Sequence, residues 1–147
     1  MLVSTCFLPF QILNTNVIFN AQKTKGMNEV TGYLTFDQVD VNIGDAFDGS
    51  SGIFKVPISG TYKMTFSGQS AYVKIDTTSL RVYKNGSIIF SIYDSNEAEK
   101  ADGNNVSYIW MMTLVQGDEL KLSSANYLSA SIVYPLTFTG QLIRIKN

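Results

Sequence analysis

The chain has 147 residues, 45% apolar and 12% aromatic, enough for one domain with its own core and too apolar for a disordered chain. It carries no histidine and one cysteine, which removes imidazole acid–base chemistry, Ser-His-Asp and Cys-His constellations, histidine-rich metal sites and an intrachain disulfide framework. Eleven basic and twelve acidic residues give a net charge of -1, with Arg81 and Arg144 as the two arginines, so nothing draws the chain toward nucleic acid.

Residues 1–22 have no charged side chain, and residues 1–13 are mostly apolar. That run is shorter than the roughly 20 apolar residues a membrane helix needs. It also lacks a clear basic start or small-x-small cleavage site, so residues 1–14 are read as a leader or N-terminal extension and residues 15–147 as the domain. The uncharged stretch 122–143 is broken by Asn126, Pro135 and several hydroxyl residues, and no membrane span is expected. Cys6 falls in the extension, where it can be a small apolar residue, part of a discarded leader or an interchain link.

From there the chain reads as strands. Residues 17–21 and 33–36 are short β-rich runs, and residues 52–56 form another that Pro57 closes, since proline cannot donate to a ladder. Residues 61–71 alternate, with Tyr62, Met64 and Phe66 on one face and Lys63, Thr65 and Ser67 on the other. Residues 80–84 and 87–93 flank Asn85-Gly86, a hairpin signal because a type I′ turn needs positive φ at both central residues. Residues 97–101 are the one helix-like stretch and run into the turn-forming Asp102-Gly103-Asn104-Asn105. Residues 106–115 hold the single tryptophan, Trp110; residues 116–118 turn into 119–122, and 134–144 close the chain. About nine or ten short strands at this spacing predict an antiparallel sandwich or barrel. Tyr33, Phe36, Phe47, Phe54, Tyr62, Phe66, Trp110, Tyr134 and Phe138 are expected to fill its core.

Several motifs recur in a familiar order. They are Phe36-Asp37, Asn42 with Gly44, Phe47, Gly52 with Phe54, and Pro57 with Gly60 and Tyr62. Phe19-Asn20-Ala21 precedes them; Asn85-Gly86, then Leu114 with Gly117-Asp118 and Leu120, then Phe138-Thr139-Gly140 with Leu142 follow. This set, over residues 16–144, resembles the globular head of complement C1q, a family that includes collagen-tail heads, cerebellins and adiponectin-like hormones. Two features depart from the pattern: Val56 stands where a cysteine is common, and no Gly-x-y run precedes the head in this sequence.

The resemblance implies an all-β, ten-stranded antiparallel jelly-roll sandwich of two five-stranded sheets, similar to tumour necrosis factor. It also implies a non-covalent homotrimer, secretion, and non-catalytic binding of protein, glycan or microbial-surface ligands through loops 71–78, 94–105 and 124–131. The alternatives with the same fold are a cytokine-like ligand that clusters a receptor and a purely structural trimerisation head. Asp94 and Asp102, eight residues apart after Tyr93, match aspartates that bind calcium near the trimer apex in the short-chain-collagen heads. Calcium takes about six to eight oxygen ligands, which three subunits can supply together; the same residues also read as a solvated acidic loop. Asp37 with Asp40, and Asp118 with Glu119, are carboxylate pairs, but adjacent residues on a strand point to opposite faces and neither pair shows glycosidase spacing, so no enzyme is expected. Asn85-Gly86-Ser87 and Asn105-Val106-Ser107 are N-glycosylation sequons, usable if the chain is secreted by a eukaryotic cell.

Overall fold

A computed structural model describes residues 15–25, 32–70, 78–94, 105–124 and 128–147. The N-terminal extension with Cys6, the helix-like stretch 97–101 and Asp102 lie outside the described residues, as do residues 71–77, 95–104 and 125–127 of the expected ligand loops.

Twelve strand segments build two antiparallel sheets, and no helix occurs among the described residues. They are β1 (Ile18–Lys23), β2 (Gly32–Tyr33), β3 (Gln38–Ile43), β4 (Phe47–Asp48), β5 (Ile53–Lys55), β6 (Gly60–Ser70), β7 (Thr78–Lys84), β8 (Ser87–Asp94), β9 (Asn105–Leu114), β10 (Glu119–Ser124), β11 (Leu128–Ser129) and β12 (Leu136–Ile145). In the first sheet β6 lies between β9 and β12, and β12 is followed by β1 and then β3. The second sheet runs β4-β5-β10-β7-β8. Among the described residues each sheet has six strand segments, of which β2, β4 and β11 are two residues long; the two antiparallel sheets are the jelly-roll sandwich that the resemblance implies, with six segments per sheet where five were expected.

Alternation explains the core. On β6, Tyr62, Met64 and Phe66 point inward and are fully buried; β12 matches them with Leu136, Phe138 and Gly140. β1 adds Phe19 and Ala21, and the second sheet answers with Phe54, Leu80, Val82, Leu120 and Leu122. Phe19 stacks on Phe47 at 4.5 Å between ring centroids and meets Phe54 and Phe138 at 5.0 Å, so one ring ties both sheets. Gly140 leaves room for it: a Cβ there would lie 2.3 Å from a Phe19 ring carbon, closer than packed atoms tolerate. The Asn85-Gly86 hairpin forms as its residues demand, with φ of 51° and 81°.

Three expectations need correction. Tyr33 and Tyr134 are not core residues; they are 51% and 60% exposed, because Tyr33 falls on the outward phase of its short strand and Tyr134 lies in the bend before β12. Residues 34–36 are not strand: Leu34 and Phe36 turn inward, held by single backbone bonds to Leu122 and Gly49. β3 was not anticipated, although Val39, Val41 and Ile43 alternate; a register shift opposite Asn20–Ala21 leaves its pattern half exposed at the sheet edge.

Candidate functional site

The outer face of the first sheet is defined by cross-strand rows. One row runs Ile109, Thr65, Thr139, Asn20, Val41; the next runs Met111, Lys63, Gln141, Ile18, Ile43. Its apolar members concentrate at the two edges. Ile109 and Met111 on β9 are 62% and 68% exposed, and Val41 and Ile43 on β3 are exposed at the opposite edge. Ile143 on β12 is exposed as well. Between the edges the hydroxyls of Thr65 and Thr139 hydrogen-bond to each other across β6 and β12. Beside them the Asn20 side-chain oxygen is shielded from solvent without a hydrogen-bond partner. A shielded, unpaired acceptor costs about 1–3 kcal/mol, so this face holds an unmet demand for a donor.

The flank between edge strands β8 and β9 carries an aromatic cluster. Phe90 meets Tyr108 at 5.7 Å and Trp110 at 5.4 Å, and Trp110 stacks toward Phe138 at 6.4 Å. The Trp110 indole N–H is buried and also lacks a partner.

The predicted site residues are not gathered into one place. Asp94 is the last residue of β8, opposite Thr78; its side chain and Asp102 lie outside the described residues. Among the described residues no three His, Cys, Asp or Glu side chains converge as a metal site. Asp37 accepts from the Thr24 amide at 2.8 Å and its hydroxyl at 2.5 Å, tying β1 to the start of β3. Slight burial pushes the Asp37 carboxyl up, but these donors outweigh it and hold the group below its ordinary value. Asp118 follows the same logic: burial raises it, while the Val115 amide, the Asn85 amide and Lys84 lower it further. Lys84 Nζ lies 3.2 Å from Asp118, and Asn85 Nδ2 donates to Asp118 at 2.9 Å. Both carboxylates are therefore structural ties.

The sequence of residues 18–143 matches the family model for the C1q domain. The chain belongs to the C1q domain family. Complement C1q tumor necrosis factor-related protein 3 of Mus musculus is 28% identical over 110 residues, covering 75% of this chain and 44% of that protein. The Homo sapiens protein of the same name matches with the same identity and coverage, so the chain spans less than half the length of these relatives. Among solved structures, the globular domain of zebrafish complement 1qA superposes with a TM-score of 0.70 at 20% identity, over 88% of this chain and 99% of that one. Murine APRIL at pH 5.0 gives 0.69 at 15% identity, over 87% and 99%. The Eiger TNF of S. frugiperda gives 0.66 at 12%, over 90% and 96%. These likenesses establish the shared jelly roll of C1q and tumour-necrosis-factor domains.

Proposed function

We propose that this C1q chain is a non-catalytic recognition module that works outside the cell. It assembles as a homotrimer and presents its loops to protein, glycan or microbial-surface ligands. The observation that carries the reading is the outer face of the first sheet. Its two apolar strips, Ile109 with Met111 and Val41 with Ile43, sit on opposite edges of one face. A strip on one copy packing against the other strip of the next makes a heterologous contact, which closes into a ring of three when each copy is turned by a third of a revolution from the last. A donor from a neighbouring copy also answers the unpaired Asn20 oxygen. Three copies then raise weak single-site binding by avidity.

Light scattering on the purified chain tests the assembly, with a mass of three chains expected; a monomer at micromolar concentration overturns it. Ligand arrays separate this reading from its rivals. Broad glycan or microbial binding supports it, capture of a single cell-surface receptor supports the cytokine-like alternative, and silence in both supports a structural trimerisation head.

Calcium at the loop of Asp94 and Asp102 is proposed on the resemblance of these residues, eight apart after Tyr93, to the calcium-binding aspartates of the short-chain-collagen heads. Calorimetry of the trimer with calcium is expected to show heat that Asp94→Ala and Asp102→Ala abolish. Absence of heat with an unchanged melting temperature retires the ion.

A further inference from the structure

We infer that Asn105 is an N-glycosylation site of this chain and that the first sugar of its glycan lies in a preformed groove. The inference rests on the extracellular reading above. The groove, of about 320 Å³, opens beside the start of β9, at the end of the first sheet away from the apolar strips. Asn105 and Ser107 both line it, because residues two apart on a strand share a face, while Val106 between them turns into the core. The acceptor amide and the sequon hydroxyl are thus both at the surface, and Asn105 itself is exposed.

The lining chemistry suits a neutral sugar. Ser67, Gln69 and Thr137 offer hydroxyl and amide groups along one side, and among the described residues no charged side chain lines the groove. On the other side the bend before β12 leaves Val133 75% and Tyr134 60% exposed, an apolar ridge with no core contact to justify it. A pyranose ring places its hydroxyls against the first side and its C–H face against the tyrosine ring. The volume lies at the lower end of the roughly 300–1,000 Å³ of small-ligand clefts, room for the first sugar with the rest of the glycan in solvent. Asn105 shares the outward face of β9 with Ile109 and Met111 and lies about 14–20 Å from them along the strand, so the glycan borders the proposed assembly face at its far end and does not sit on the strips themselves.

The second sequon is placed differently. Asn85 sits in the hairpin turn at positive φ; its Nδ2 donates to Asp118 at 2.9 Å and its Oδ1 accepts from the Glu119 amide at 2.8 Å. Its amide is committed to the turn, and Asn85 is expected to remain unmodified.

In the transfer, Asn105 Nδ2 bonds to the anomeric carbon of a lipid-pyrophosphate-linked oligosaccharide. The bond from that carbon to the pyrophosphate oxygen breaks, the lipid pyrophosphate leaves with the electron pair, and one amide proton passes to a base of the transferase.

The test expresses the full chain in a eukaryotic secretory host, with and without an appended leader. With the leader, a mass increase of one glycan is expected, removed by an amidase-type glycosidase that leaves aspartate at position 105. Asn105→Gln and Ser107→Ala both abolish the increase, Ser107→Thr keeps it, and Asn85→Gln leaves it unchanged. An unshifted mass, or a shift lost in Asn85→Gln and kept in Asn105→Gln, overturns the assignment. Retention of the leader-bearing chain inside the cell while it carries the glycan at Asn105 counts against the extracellular reading and not against the site. For the groove, native-state glycan release is expected to be several-fold slower from the wild type than from Tyr134→Ala; equal rates overturn the packing.

Discussion

The two outer faces of the sandwich are built from the same alternation and have opposite characters. The first sheet turns out threonines flanked by bare Ile109, Met111, Val41 and Ile43, and it shields an unpaired Asn20 oxygen. The second sheet turns out Arg81, Lys121, Tyr33 and Tyr83, with Ile88 bare at its β8 edge, and three of these side chains contact one another. Lys121 Nζ sits 4.0 Å over the Tyr33 ring, and Tyr33 meets Tyr83 edge-on at 5.3 Å. A face whose groups are paired within the subunit is finished in water. A face with uncovered apolar strips and an unpaired acceptor is finished by a partner. Inward positions build the core that holds the two sheets together, whereas outward positions decide what each face can meet.

The largest test removes the support common to both faces. Phe138 is fully buried and touches Phe19, Phe36, Phe47 and Trp110. Phe138→Ala is expected to cost about 3–5 kcal/mol, read from urea unfolding, and to weaken both faces together. A loss below 1 kcal/mol by the same measurement means that the two sheets do not depend on this ring.

The contrast itself is tested next. Met111→Asp with Ile109→Asp is expected to convert trimer to monomer in light scattering while far-ultraviolet circular dichroism stays β-like. Tyr33→Ala on the opposite face leaves the mass unchanged. If Tyr33→Ala dissociates the assembly and the aspartates do not, the roles of the two faces are reversed.

The smallest effect is pH dependence. Asp37 and Asp118 are held below their ordinary values in the folded chain, so their contribution is complete above the unfolded carboxyl value near about pH 4. It is lost as pH falls through the lower folded values. Urea midpoints are therefore expected to be flat from neutral pH down to about 5 and to decline below about 4, with a shallower decline in Asp118→Asn. A decline of equal slope in that variant shows that Asp118 is not one of the groups responsible.

Much of the fold was legible because local rules and tertiary packing agreed. Tyr62, Met64 and Phe66 alternate into the core as written, and Asn85-Gly86 makes its hairpin because few other pairs accept positive φ twice. Tyr33 and Tyr134 were misread because aromatic character says nothing of strand phase. The outward strips were missed for a related reason: Tyr108, Ile109, Trp110 and Met111 are four large apolar residues in a row. Only the pairing of β9 with β6 decides which two face solvent, and a slip of one residue would exchange them. The groove at Asn105 was equally out of reach, since Ser67, Ser107 and Tyr134 come from three separate parts of the chain.

By itself, the sequence settled the class of molecule: the absent histidine and single cysteine closed off most catalytic chemistry, and the ordered motifs set an all-β C1q head. The tertiary structure decided which side of each strand meets water. That choice is fixed by register between strands distant in sequence, and register is a property of pairs of strands that no single segment carries.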